Sequence, residues 1–174
     1  MIRLCYRLVV LLCLFIGCGP VTPAGWVPGM IVCPHYSLKR DFEHQAELTP
    51  EQVHLMEQTL DTTVDRWNEK LGFPVFEDSG DENSIHVIAI STSPQSGELG
   101  AADITPGKCG GTVAVGYAAL GTFNTYAHEL GHELGLWHVD DRSSVMHVGF
   151  DVDLENADIT LEMVALVQEH LEEA

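Results

Sequence analysis

The sequence predicts a mixed α/β domain of the α+β kind: a twisted mixed sheet packed on two helices, with a further helix at the C-terminus. Three observations carry this expectation. Apolar residues recur every three or four positions at Val53, Met56, Leu60, Val64, Trp67 and Leu71, which is one face of a helix. Ile85-His86-Val87-Ile88-Ala89-Ile90 is a short β-branched run between polar turns, which reads as a buried strand. A last helical pattern follows Thr160, with Leu161, Val164, Ala165, Leu166 and Leu171 as its apolar side. Helix, strands and two further helices, without internal repeats, put the sheet on one side of the domain.

Composition bounds the function classes. At 174 residues, 45% hydrophobic and 20% charged, the chain has ordinary globular content and enough length for one core. Eight Lys+Arg against 26 Asp+Glu give a formal charge of −18, which repels phosphates and excludes nucleic acid as a partner. A monomer is expected.

Residues 1–17 read as a signal peptide. Arg3 and Arg7 precede nine uncharged apolar residues, Leu8 to Ile16, a run too short to span a bilayer. Phe15-Ile16-Gly17-Cys18 resembles the lipobox of bacterial lipoproteins, so Cys18 is the candidate lipidation site and the membrane a partner through that anchor. The alternative is a plain secretory signal cut near Gly17 or Ala24, with Cys18 incidental. Both readings place the protein outside the cytoplasm, in the cell envelope or secreted. Cys5 and Cys13 leave with the signal, which makes Cys33 and Cys109 an even pair in an oxidising compartment, expected to form one disulfide. A Cys33 thiolate capping a metal in a latent form, or two free thiols, are the alternatives.

Residues 18–48 contain Pro20, Pro23, Pro28 and Pro34 and no sustained periodicity, so they are read as a tether and an irregular segment, with the folded domain at 49–174. Thr49-Pro50-Glu51-Gln52 supplies an N-cap, a proline in the first turn and a capping-box glutamine; Gly72 supplies the left-handed stop. After the strand at 85–90, a short edge strand around Leu99 to Ile104 and a strand at Gly111 to Tyr117 are expected. An edge strand can pair with an extended peptide.

The chemistry is carried by residues 128–138, His-Glu-Leu-Gly-His-Glu-Leu-Gly-Leu-Trp-His. Four residues advance a helix by about 400°, so His128 and His132 share a face one turn apart and reach one ion. Gly135 can turn the chain in the left-handed region and bring His138 to the same ion. Three neutral nitrogen ligands with an open fourth position are the arrangement of a catalytic Zn2+, whereas structural zinc is closed by four ligands and rich in Cys. Glu129 points elsewhere than its neighbour His128, toward a water on the metal. Zinc brings the pKa of such a water to about 7, and Glu129 is placed to act as the general base. The five fixed positions coincide by chance on the order of 10⁻⁴ times in a chain of this composition.

With Ser143-Ser144-Val145-Met146-His147 after it, this motif resembles the metzincin clan of zinc endopeptidases, and within it small matrixin-like bacterial enzymes. The resemblance implies a zincin-like catalytic domain in which His128, His132 and His138 bind zinc, Glu129 is the general base and Met146 lies in the methionine turn beneath the metal. It implies a protein or peptide substrate, and a pocket for the residue after the scissile bond built from 147–159, with Val148 and Phe150 as an apolar wall. Asp140 and Asp141 are candidates to orient His138 or to bind Ca2+, against a plain solvated loop. The rival functional reading is a non-catalytic surface lipoprotein or binding module stabilised by zinc. Glu129 argues against it, since a structural site has no use for that carboxylate.

Overall fold

Thr49 turns the chain into the first helix, α1 (Pro50–Leu71). Its hydroxyl accepts from the Gln52 N–H and the Gln52 side chain accepts from the Thr49 N–H, closing the capping box read from the sequence. Gly72, at φ 81°, ends the helix, and its N–H donates to the Asn68 carbonyl. Met56, Leu60, Trp67 and Leu71 are buried along one face, as their spacing predicts.

The computed structural model describes residue 26 and residues 32–45, 48–78, 84–90, 99–147 and 157–172. Strands β1 (Tyr36–Gln45), β2 (Phe76–Glu77), β3 (Ser84–Ile90), β4 (Gly100–Asp103) and β5 (Gly111–Gly116) form one sheet in the order β2-β1-β3-β5-β4. The β1–β2, β1–β3 and β3–β5 pairs are parallel and β4 runs antiparallel to β5, so the sheet is mixed and β4 is its terminal strand. Ile85, Val87 and Ala89 of β3 and Val113 and Val115 of β5 are fully buried. Helices α2 (Phe123–Glu133) and α3 (Leu161–Glu172) complete the domain. Trp67 of α1 donates its indole N–H to the Ala127 carbonyl of α2 at 3.2 Å, which locks the two helices together.

The structure corrects the expected boundary at residue 49. Tyr36–Gln45 is a strand inside the sheet, flanked by β2 and β3, and Tyr36, Leu38 and Phe42 are core residues. Their period-two alternation was present in the sequence, but Lys39, Arg40 and Asp41 interrupt the apolar run and the pairing with β3 shifts register between Asp41 and Gln45. Strand β2 has two residues and exists only through its parallel pairing with β1, so no local pattern announces it. Cys33 and Cys109 are disulfide-bonded, with Cα atoms 5.9 Å apart, which settles the cysteine alternatives. The expected signal peptide, Cys18, and the wall at Val148 and Phe150 lie outside the described residues.

Candidate metal centre

Helix α2 carries His128 and His132 one turn apart, and the sequence expectation that they converge with His138 holds. Among the described residues, these three form the one group of three or more metal-ligating side chains whose donor atoms lie within 4.8 Å of one another. The Nε2 atom of His128 lies 3.1 Å from that of His132 and 3.2 Å from that of His138.

The far sides of two rings explain what those short contacts mean. His128 Nδ1 faces the Val145 carbonyl at 2.7 Å and His132 Nδ1 faces the Leu136 carbonyl at 2.8 Å. A carbonyl only accepts, so both Nδ1 atoms carry the proton and both Nε2 atoms present lone pairs. Protonation cannot relieve that confrontation cheaply. Burial lowers the pKa of His128, and burial together with the neighbouring His128 pulls that of His132 down to about 3. Three nitrogens at tetrahedral positions on zinc, with bonds of about 2.0–2.1 Å, would stand about 3.3–3.4 Å apart. The two short spacings lie close to that separation, so the three donor atoms fit a single zinc ion.

The turn from second to third ligand is made at Gly135, whose φ of 84° belongs to the region glycine enters without cost. Gly135 N–H donates to the His132 carbonyl and Leu136 N–H to the Gly131 carbonyl, at 2.9 and 3.0 Å. Val139, next to His138, then donates its N–H to the Met146 carbonyl at 3.0 Å. The Ser143–His147 segment therefore grips both ends of the site, His128 through Val145 and the chain just after His138 through Met146. Met146 itself is fully buried beneath α2, and Gly131 is where it fits: a Cβ there would collide with its sulfur.

Glu129 is 6% exposed and points toward the terminal strand, because a Cβ at Gly100 of β4 would lie 2.7 Å from its Oε1 and 2.9 Å from its Cγ. Asp141 is not among the converging side chains. Its Oδ1 accepts from the Ser143 N–H and hydroxyl at 2.9 and 2.8 Å, shaping the turn that leads to Met146. Asp140 is exposed, and His147 is buried with Nδ1 at 3.3 Å from the Val139 carbonyl. Sequence reasoning missed Val145 and Leu136 as orienting carbonyls, since any residue supplies one. It also missed Gly100 and Gly131, whose one signal was a glycine inside a strand and inside a helix.

Comparison with curated proteins gives no significant match. Among solved structures, metalloproteinase-II from Bacteroides fragilis superposes with a TM-score of 0.51 at 16% identity, over 90% of this chain and 60% of that one. The chain thus spans about 60% of the length of that relative. Archaemetzincin from Methanopyrus kandleri gives 0.56 at 16% identity, over 83% of this chain and 97% of that one. Likeness at such identity concerns the fold alone, a mixed sheet packed on helices. The family model of the matrixins matches residues 81–169, which hold the three histidines, Glu129 and Met146. With half of its length so matched, this chain belongs to the matrixin family of metzincin-like zinc metalloproteases.

Proposed function

We propose that this protein is a zinc-dependent endopeptidase that hydrolyses peptide bonds of extended polypeptides, with zinc held by His128, His132 and His138 and Glu129 as general base. The carrying observation is the meeting of histidine Nε2 lone pairs whose Nδ1 protons are committed to the Val145 and Leu136 carbonyls. Zinc held there would supply Lewis acidity for a water and for the scissile carbonyl. His128 and His132 stay neutral and fixed in direction, as ligands must. Glu129, one residue from the first ligand and walled by Gly100, takes a proton from the attacking water and returns it to the departing nitrogen. The terminal strand β4 offers its backbone to an extended substrate on the Glu129 side of the site. Met146 fills the floor and touches no substrate.

The amino-terminal reading completes the proposal: cleavage before Cys18, a lipid on that residue, and an extracytoplasmic enzyme at a membrane surface acting on protein or peptide. The Cys33–Cys109 bond supports an oxidising compartment.

Zinc content and hydrolysis of an unfolded protein, measured on the parent and on Glu129→Gln, test the proposal. The expected result is about one zinc per chain in both and hydrolysis reduced at least 10²-fold in the variant. Zinc in both with no cleavage of a broad peptide library by the parent would sink the endopeptidase reading in favour of a zinc-stabilised binding module.

A further inference from the structure

Trp26 lies more than a hundred residues before the histidines, yet it is 8% exposed and forms an antiparallel bridge with Leu136, between the second and third ligands. Its indole occupies the space above Gly135. A Cβ on that glycine would fall 2.6, 2.9 and 3.0 Å from Cη2, Cζ2 and Cζ3 of the ring. The indole is engaged by a second partner as well, since the His170 ring of α3 stacks on Trp26 with centroids 3.6 Å apart and planes 19° from parallel. His170 is itself pinned by its Nδ1, 2.8 Å from the Leu166 carbonyl one turn earlier.

We propose that Trp26 is a positioning residue for the zinc site, a strap that clamps the Gly135–Leu136 turn between the indole and the end of α2. The inference rests on the zinc reading above. Leu136 is the point of leverage: its carbonyl holds His132 Nδ1, its N–H is held by Gly131, and its backbone pairs with Trp26. Gly135 is needed twice, for its left-handed φ and because no Cβ fits under the ring. Without the indole, one wall of the turn is missing. The Leu136 carbonyl then wanders from His132, and the chain that delivers His138 gains conformations that must be frozen out again when zinc binds. Groups that orient metal ligands from behind typically change metal affinity 10–100-fold when removed.

The test uses the full-length protein with Trp26→Ala, Trp26→Phe and His170→Ala. Zinc dissociation constants are read by competition with a chelating indicator, beside the melting temperature of each metal-free protein. Trp26→Ala is expected to weaken zinc binding about 10–100-fold. Trp26→Phe, which restores an aromatic wall, recovers most of that loss, and His170→Ala, which frees one face of the ring, weakens binding several-fold. A packing role alone would lower the melting temperatures and leave the zinc constants unchanged, and that result overturns the proposal. If Trp26→Ala does not fold, His170→Ala decides: unchanged zinc affinity overturns the strap and weakened affinity supports it. A parent that takes up no zinc would overturn the zinc reading and the strap with it, whereas a zinc-loaded parent with unaltered variants overturns the strap alone.

Discussion

Replacing Glu133 by glutamine removes a titration from the interior and leaves the shape of the side chain intact. Glu133 follows the second histidine on α2, is 3% exposed, and has an Oε1 with no hydrogen-bond partner among the described residues. Gly111 of β5 packs against it, where a Cβ would sit 2.6 Å from Oε1 and 3.1 Å from Oε2. Burial, with the charge of Asp103 added, pushes its pKa from 4.5 to about 8. Between those values the folded chain holds a proton that the unfolded chain has released. Stability is therefore complete below about pH 4.5 and falls by about 1.4 kcal/mol per pH unit until the folded group ionises near pH 8. Summed over that window, the loss is on the order of 5 kcal/mol. Urea unfolding of metal-free parent and Glu133→Gln at pH 5, 6.5 and 8.5 reads it directly, because every other titrating group is common to both. At pH 5 the two should agree within about 1 kcal/mol, and at pH 8.5 the variant should be more stable by a few kcal/mol. Parallel curves across the range would show that Glu133 ionises normally and that its burial is relieved by something else.

Gly100→Ala puts a methyl group 2.7 Å from Glu129 Oε1 and 2.9 Å from Thr125 Cγ2; kcat should fall about 10-fold or more at unchanged zinc content, and an unaltered kcat would show the carboxylate free to move aside. Asp158 is 37% exposed: burial raises its pKa, but Arg66, Lys70 and the Ile159 N–H outweigh this and bring it to about 2. Its contribution is present above pH 3.8 and lost as pH falls through about 2; discounted for solvent screening it is about 1 kcal/mol, so acid titration of Asp158→Asn should lack that part of the parent's loss. Reducing Cys33–Cys109 opens a loop of 76 residues, worth up to about 4.5 kcal/mol by chain entropy and about 10 °C in melting temperature; a melt unaffected by reductant under unfolding conditions would remove the bond from the stability of the domain.

What the sequence announced is what short-range geometry determines. The capping box of α1, the β-branched β3, the Thr160 start of α3 and the turn of helix between His128 and His132 each need only a few neighbouring residues. What it concealed depends on partners far along the chain. Strand β1 is a core strand because β2 and β3 lie on either side, and Glu133 is a buried acid because β4 and β5 close over it. Gly131 looks like an ordinary weak point in a helix until Met146 arrives beneath it.

The same division runs through the metal centre. The histidine spacing sets which atoms meet, but their directions are fixed from behind, by two carbonyls outside the helix. Val145 is held by its N–H to the Asp158 carbonyl at 3.1 Å, while the Asp158 N–H returns to Ser143 at 2.9 Å. The Asp158 carboxylate is gripped at 2.8 Å by both Arg66 and Lys70 of α1. Leu136, the other acceptor, is bridged by Trp26 from the amino-terminal side. A charged pair on α1 and an indole near residue 26 thus converge on two imidazole rings through single backbone carbonyls. The carbonyls that aim the two lone pairs inward are placed by the fold and not by the ligands' own helix, so much of the cost of ordering those rings would be met by folding itself. On this geometry, zinc affinity would depend on residues from 26 to 158, although every proposed ligand lies within an eleven-residue stretch.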